Sequence, residues 1–207
     1  MGAVPARVGE PRPHARTIPL GFLLIRFRRT FVFADLSGFT DYTEKNGDGA
    51  ATQLLAQFRG IARAVGSHQG VRIDKYLGDG LMAVAVEAVD GITFALELQK
   101  YATTACSPLR LRIGIATGDT MLFEGQDYIG TAPNLAARLC DAASDAGILM
   151  PADQVDGLPI GVEAVPHPSV ALQGFDRPVD VVTVVGEPMI DDRYDINEYW
   201  TRSPFVG

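Results

Sequence analysis

The stretch DKYLGDGLMAVAV, Asp74–Val86, decides how this chain folds. Two apolar runs flank an Asp-Gly pair, which is the strongest short-range sequence signal for a tight β-hairpin. Lys75 lies inside the first run, although a buried strand rarely carries a lysine. Asp79 is therefore either an ordinary turn residue or a carboxylate held at a functional site that also uses Lys75.

Segments on both sides of the hairpin predict an α+β domain. TFVFADL, residues 30–36, has the composition of a strand, and apolar residues recur at helical spacing from Leu54 to Val65. After the hairpin, residues 92–102 predict a helix and residues 109–118 a strand. This β-α-β-β-α-β order is that of the ferredoxin-like split-βαβ fold. We therefore expect a mainly antiparallel sheet with the helices on one face.

The fold is predicted to continue past that unit with an extra helix and C-terminal strands. Residues 132–143 have the pattern of the helix, with Pro133 tolerated in its first turn. The strands are predicted in ILM (148–150), GVEAV (161–165), SVALQGF (169–175) and PVDVVTVV (178–185).

Three segments follow from this pattern. A flexible leader rich in arginine and proline is predicted over residues 1–30, the folded domain over residues 31–185, and an acidic tail over residues 186–207. The alternative for the leader is a basic segment that attaches to a surface, and the tail is either ordered against the domain or loose.

Composition excludes several classes of function. The 207 residues are 47% hydrophobic, and the net charge of -7 argues against nucleic-acid binding, which needs a basic surface. No apolar run approaches the roughly 18 residues of a transmembrane segment. Two cysteines make neither a disulfide framework nor a paired metal motif, so we expect a reducing, cytoplasmic location.

A second motif, FADLSGFTDYT, begins at Phe33. Asp35 ends the predicted strand, and the following turn leads toward a helix. Backbone N–H groups in such a turn can bind phosphate, helped by the N-terminus of the helix. The residues of this turn are Ser37, Gly38, Phe39 and Thr40. Taken alone, the motif favours the simpler interpretation, a strand-end Asp in an Asx turn.

A third motif, GQDYIGTAPNLAARL, covers residues 125–139. Asn134 and Arg138 are four residues apart, so they share one face of the predicted helix. An amide and a guanidinium placed there suit a sugar and a phosphoryl group. Asp127 precedes the helix. Alone, these residues also fit an ordinary solvated surface.

Together the three motifs resemble the catalytic domain of the class III nucleotidyl cyclases, the adenylyl and guanylyl cyclases. FADLSGFT, DKYLGDGLMAV and DYIGTAPNLAARL look like the three signature blocks of that family, in the family's order. The resemblance runs from about Phe31 to Val185, which is three quarters of the chain.

The resemblance implies roles in metal and purine binding for four residues. Asp35 and Asp79 match the family's aspartates that bind two divalent metal ions, Mg²⁺ or Mn²⁺. Lys75 and Asp127 match the pair that recognises the purine. A lysine and an acid complement the acceptor N1 and the N6 amino group of adenine, whereas the edge of guanine is inverted. The resemblance therefore implies ATP as the substrate.

It also implies a reaction and an assembly. Asn134 matches the residue that orients the ribose, and Arg138 matches the one that stabilises the transition state. In the family each active site lies between two subunits, with the metal-binding aspartates from one and the other residues from its partner. We therefore expect a homodimer with shared active sites that converts ATP to 3′,5′-cyclic AMP and pyrophosphate.

The sequence departs from the family in three places. Gln173 stands where a lysine or arginine often holds the terminal phosphates, and Arg177 is a nearby substitute. The segment before Asp127 is short, and Pro133 replaces a small β-branched residue. The alternatives are a catalytically weak or inactive nucleotide-binding or dimerisation module of the same fold, and a guanylyl cyclase.

Overall fold

The computed structural model describes residues 26–124, 127–143 and 147–189. These residues form eight strands, three α-helices and one 3₁₀ helix. In chain order they are β1 Arg26–Ser37, α1 Phe39–Gln69, β2 Arg72–Leu77, β3 Gly80–Ala85, α2 Ala88–Ala105, β4 Arg110–Phe123, β5 Asp127–Ile129, α3 Thr131–Ala142, β6 Ile148–Pro151, the 3₁₀ helix Ala152–Gly157, β7 Val162–Val170 and β8 Val179–Gly186.

All eight strands belong to one sheet, which runs β2-β3-β1-β4-β6-β8-β7, with β5 paired to β4 beside that path. Neighbouring strands are antiparallel except for β4 and β6, which are parallel. The α+β fold with a mostly antiparallel sheet is thereby confirmed. The first six elements follow the ferredoxin-like order, and the parallel β6 extends the sheet past it.

Alternation along the strands assigns the two faces of the sheet. Val32, Ala34 and Leu36 of β1 point to the first face, where α1 and α2 cover them. Phe58 and Phe94 of these helices are fully buried there. This face holds the main hydrophobic core.

The second face is covered in part by α3. Phe31, Met82 and Ala116 pack there against Ala132 and Ala136 of that helix. The expectation that the helices lie on one face therefore holds for α1 and α2 but not for the extra helix α3. The physical reason is that β1, β3 and β4 carry apolar residues on both faces, and β3 is buried along its whole length.

The first strand is longer than its sequence indicated. β1 includes Arg26, four residues before the expected start, because Phe27 packs edge-to-face on Tyr128 at 6.2 Å and buried Thr30 hydrogen-bonds Thr117 at 2.8 Å. Residues 26–30 of the predicted leader thus belong to the sheet. The rest of the leader, and the tail from residue 190, lie outside the described residues.

Other boundaries also differ. α1 begins at Phe39 and is kinked at Gly47, whose φ of 82° is not helical. SVALQGF was predicted to be a strand, but only Ser169 and Val170 belong to β7, and residues 171–178 connect β7 to β8. Gly174 turns this connection with a φ of 88°, which interrupts strand pairing.

Among the helices that the structure describes, none combines the length and the apolar character needed to cross a membrane.

Candidate active site

Asp35 lies near the end of β1 on the second face of the sheet, between two neighbouring strands. Its Cα partners are Gly80 of β3 and Arg112 of β4. The Arg112 guanidinium donates two hydrogen bonds to Oδ2 of Asp35, at 2.9 Å from Nε and 2.6 Å from an Nη. Both side chains are about one quarter to one third exposed, at 26% and 32%. The strand register and the Arg112 guanidinium thus fix the direction of the Asp35 side chain.

Asp79 lies in the turn of the β2–β3 hairpin. Leu77 pairs with Gly80, so the two loop residues are Gly78 and Asp79 rather than the expected Asp79-Gly80 pair. The reason is that the first loop position has a φ of 66°, which glycine adopts without strain. The turn nevertheless holds the Asp79 carboxylate at the end of the sheet where Asp35 lies.

Arg59 of α1 holds this turn from the first face. Its guanidinium donates a hydrogen bond to the carbonyl of Gly78 at 3.0 Å and lies 4.7 Å from the ring centroid of Tyr76. The residue that precedes Asp79 is therefore tied to the long helix. Arg59 was not predicted as a site residue, because its contact joins residues that no local pattern links.

The two carboxylates influence each other. Burial raises the pKa of Asp79, the charge of Asp35 raises it further, and Arg112 opposes this increase. A Cβ placed on Gly80 would lie 3.0 Å from Oδ1 of Asp35 and 2.8 Å from the carbonyl of Ala34. Glycine at this position therefore leaves room for the Asp35 carboxylate beside the turn.

This donor set fits a hard divalent cation. Two carboxylates that repel each other supply oxygen ligands, which Mg²⁺ and Mn²⁺ prefer. No cluster of three or more His, Cys, Asp or Glu side chains occurs in the described parts of the chain, so a metal here would take its further ligands from substrate phosphates, backbone or water. Asp35 and Asp79 are the residues that would hold it.

Lys75 and Asp127 are brought together across a long sequence separation. β2 carries Lys75 opposite Met82, and β5 places Asp127 opposite Phe123 of β4. The Lys75 ammonium donates a hydrogen bond to Oδ1 of Asp127. This hydrogen bond is the main cause that raises the pKa of Lys75. A donor and an acceptor thus lie side by side at an exposed position.

α3 carries Asn134 and Arg138 on its outer side. Asn134 is exposed, and Arg138 donates a hydrogen bond to Asp141 at 3.2 Å on the same helix. The inner side of α3 lies against the backbone of β4 at Gly114, where an added Cβ would stand 2.1 Å from the carbonyl of Ala136. The position of the helix is therefore set by direct contact with the strand.

The turn after Asp35 has the predicted course. Gly38 has a φ of 83° and is the N-cap of α1, and its carbonyl accepts the amide of Tyr42 at 3.0 Å. Ser37 and Thr40 flank it, whereas the Phe39 side chain packs on the main core. Phe39 can therefore contact a ligand at this turn only through its backbone.

The structure leaves Gln173 and Arg177 exposed in the connection between β7 and β8. Arg112 is instead the guanidinium that contacts a candidate metal ligand. A signal for it exists in LRLRIGIATG, residues 109–118. Alternation puts Arg110 and Arg112 on the same face as Gly114 and Ala116, so two positive charges precede a row of small residues there.

Comparison with known proteins defines the class of this molecule. The family model described as the adenylate and guanylate cyclase catalytic domain matches residues 28–183. The chain belongs to this family, which acts on nucleotide substrates and generally uses divalent metals.

Sequence relatives include proteins of Mycobacterium and Streptomyces. An uncharacterized protein of Mycobacterium tuberculosis is 34% identical over 160 residues, which is 77% of this chain and 42% of that protein. An adenylate cyclase of Streptomyces coelicolor is 32% identical over 118 residues, 57% of this chain and 31% of that protein. The chain thus spans less than half the length of these curated relatives.

Solved structures share the fold. The adenylyl cyclase CyaB from P. aeruginosa is 25% identical with a TM-score of 0.71, over 80% of this chain and 97% of that chain. The guanylate cyclase domain of RhGC from Catenaria anguillulae is 17% identical with a TM-score of 0.67, over 79% of this chain and 99% of that chain. At such identity the second match establishes the fold alone.

Proposed function

We propose that this chain is an adenylyl cyclase that converts ATP to 3′,5′-cyclic AMP and pyrophosphate. The observation that carries the proposal is the contact between Lys75 and Asp127. The ammonium is a donor for the acceptor N1 of adenine, and the carboxylate is an acceptor for the N6 amino group. Guanine presents the opposite pattern at these positions, so the pair favours ATP over GTP.

The reaction is an intramolecular phosphoryl transfer. The 3′-hydroxyl of ATP attacks the α-phosphorus, and its proton passes to water or to a substrate phosphate. The bond from the α-phosphorus to the bridging oxygen breaks, and pyrophosphate leaves with that oxygen. Divalent ions held by Asp35 and Asp79 supply, when bound, the positive charge that acidifies the hydroxyl and neutralises the phosphates. With such ions bound, Asp35 would no longer need Arg112 as its partner, and the Arg112 guanidinium would be available to the phosphates.

The remaining residues of the site position the substrate. Asn134 holds the ribose so that the hydroxyl is in line with the leaving oxygen. Arg138 turns from Asp141 to the α-phosphoryl oxygens and compensates the charge that develops there. Backbone N–H groups between Ser37 and Thr40 contact phosphate at the start of α1.

We propose that two copies of the chain share each site. Asp35 and Asp79 of one protomer face Lys75, Asp127, Asn134 and Arg138 of its partner. A homodimer then contains two complete sites, and a monomer contains none. Exposed Leu122, Phe123 and Ile129 near the β4–β5 turn offer apolar surface for such an assembly.

A cyclase assay with purified protein tests this function. ATP and GTP are compared in the presence of Mg²⁺ or Mn²⁺, and cyclic nucleotide and pyrophosphate are both measured. Production of cyclic AMP in excess of cyclic GMP is expected. Cyclic GMP as the main product would establish a guanylyl cyclase, and nucleotide binding without pyrophosphate release would establish a binding module.

Two inactive variants test the shared site. Asp79→Ala and Arg138→Ala are each expected to lack activity while folding normally, because each removes a group from both sites of the homodimer. When the two variants are mixed, the heterodimer has one intact site, so part of the activity returns. Heterodimers that form but remain inactive would contradict the shared geometry. Near-normal turnover by Asp79→Ala alone would contradict its metal role.

A further inference from the structure

A β-bulge in β2 brings a second acidic residue to the purine end of the site. The register passes from Ile73↔Ala83 to Lys75↔Met82, so Asp74 is the extra residue. Such a bulge sets two residues against one and interrupts the alternation of side chains. Arg72, opposite Val84, lies on the second face and contacts Asp74. Asp74 and Lys75 therefore lie on the same face.

The Asp74 carboxylate is buried and only half satisfied. Its side chain is 7% exposed, and its Oδ1 accepts a hydrogen bond from Arg72. Arg72 in turn donates to the hydroxyl of Tyr128 at 2.8 Å, next to Asp127 in β5. The other oxygen, Oδ2, is buried and has no hydrogen-bond partner among the described residues. A buried acceptor without a partner is unfavourable, so its retention calls for an explanation.

Lys75 can donate the missing hydrogen bond to Oδ2 of Asp74. An ammonium has three protons, and the structure shows one of them directed at Asp127. The negative charge of Asp74 contributes to raising the pKa of Lys75, which agrees with their proximity. When Asp127 accepts the amino group of adenine, its hydrogen bond with Lys75 is weakened or lost. Lys75 then needs another acceptor to keep its direction.

We propose that Asp74 is a positioning residue for Lys75, whose ammonium donates to the free Oδ2 of Asp74 while it binds the ring nitrogen of the purine. This inference rests on the proposed preference for ATP and deepens it. The unsatisfied oxygen gains its partner only when adenine draws Asp127 away from Lys75. Asp74 thus contributes to the preference for adenine without touching the nucleotide.

The substitution Asp74→Asn in the full chain tests the proposal. The amide keeps an oxygen for Arg72 and places an NH₂ group, which cannot accept from an ammonium, at the former Oδ2. We expect kcat/KM for ATP to fall about tenfold, mainly through KM, while kcat/KM for GTP changes less than about twofold. The thermal midpoint is not expected to fall, because the substitution removes a buried charge. Asp180→Asn, at an exposed position of β8, is the matched control and should leave the ATP-to-GTP ratio unchanged.

A double substitution separates positioning from general structure. In a Lys75→Met background, Asp74→Asn should change the ATP-to-GTP ratio no further, because the residue it positions is absent. An equal loss with both nucleotides, an unchanged ratio, or an additive effect of the two substitutions would each overturn the proposal.

Equilibrium dialysis with the α,β-methylene analogues of ATP and GTP distinguishes this inference from the proposed function, since these analogues cannot release pyrophosphate. If the wild-type chain binds the ATP analogue preferentially but does not turn ATP over, the proposed catalysis fails. Asp74→Asn must still reduce that preference about tenfold. A wild-type chain with no preference for the ATP analogue would overturn both.

Discussion

The close approach of α3 to β4 at Gly114 leads to a sharp prediction for Gly114→Ala. A Cβ at this buried position would stand 2.1 Å from the carbonyl oxygen of Ala136 and 2.3 Å from the amide nitrogen of Cys140. Both are backbone atoms of α3, so no side-chain rotation relieves the overlap. The helix and the strand must separate.

The size of that separation follows from the distances. Ordinary van der Waals contact begins at 3.4 Å, so the shortfall at Ala136 is about 1.3 Å. Overpacking of this kind costs about 1–3 kcal/mol, which corresponds to a thermal midpoint lower by roughly 3–10 °C for a chain of this size. α3 carries Asn134 and Arg138, and a displacement of about 1 Å can reduce turnover on the order of a hundredfold.

Calorimetry and a cyclic AMP assay measure the two effects on the same protein. Gly118→Ala is the matched control, because it lies on the same strand under the same helix. Its added Cβ would meet only the Cβ of Ala132, at 3.0 Å. We expect a loss of about 1 kcal/mol or less and turnover within about fivefold of wild type.

Two results would refute this reasoning. A Gly114→Ala protein with wild-type stability would show that α3 does not lie on the β4 backbone. A protein of reduced stability with wild-type turnover would show that the position of α3 does not control Asn134 and Arg138.

Three further predictions concern other parts of the chain. Arg59→Met removes the hydrogen bond to Gly78 that holds the hairpin turn, so we expect activation by Mn²⁺ to be at least about tenfold weaker. Cyclase kinetics at a series of Mn²⁺ concentrations measure this, and an unchanged metal dependence would contradict it. In α1, Gly49→Ala should stabilise the protein by about 0.5–1 kcal/mol in urea unfolding because this exposed helical position has open space, whereas Gly47→Ala should destabilise it because its φ is 82°. Burial raises the pKa of Glu97, so the folded state favours the neutral acid. The wild type thus loses stability as pH rises from the ordinary glutamate pKa of 4.5 through the raised pKa, and Glu97→Gln should become the more stable of the two proteins over this rise. Urea unfolding as a function of pH measures this, and a pH-independent difference would contradict it.

The sequence predicted the elements whose pattern is local. The β2–β3 hairpin follows from alternating apolar residues around a turn, and both signals lie within Asp74–Val86. The turn was displaced by one residue because Gly78 and Gly80 both flank Asp79, and only backbone geometry decides which glycine takes the positive φ. The covering of the second face by α3 was missed because a helical pattern shows which side is apolar, not which face of a sheet receives it.

Candidate site residues that lie in sequence motifs could be predicted, whereas residues that reach the site only through long-range contacts could not. Lys75 and Asp127 were paired in advance from the resemblance, and the structure places them in contact. Arg112 and Arg59 were missed because their partners, Asp35 and Gly78, are distant in sequence. Asp74 was likewise missed, since a bulge depends on how two strands align and leaves no distinct mark in either.

The double pairing of Asp35 with Gly80 and Arg112 has a consequence for how this chain can change in length. Loss of one residue from β1 between Thr30 and Asp35 would leave its composition almost unaltered. It would nevertheless move every later side chain of the strand to the opposite face and direct the carboxylate into the main core. Insertions and deletions are therefore expected to be tolerated in the β7–β8 connection but not in β1, where a shift of one residue removes Asp35 from the candidate site.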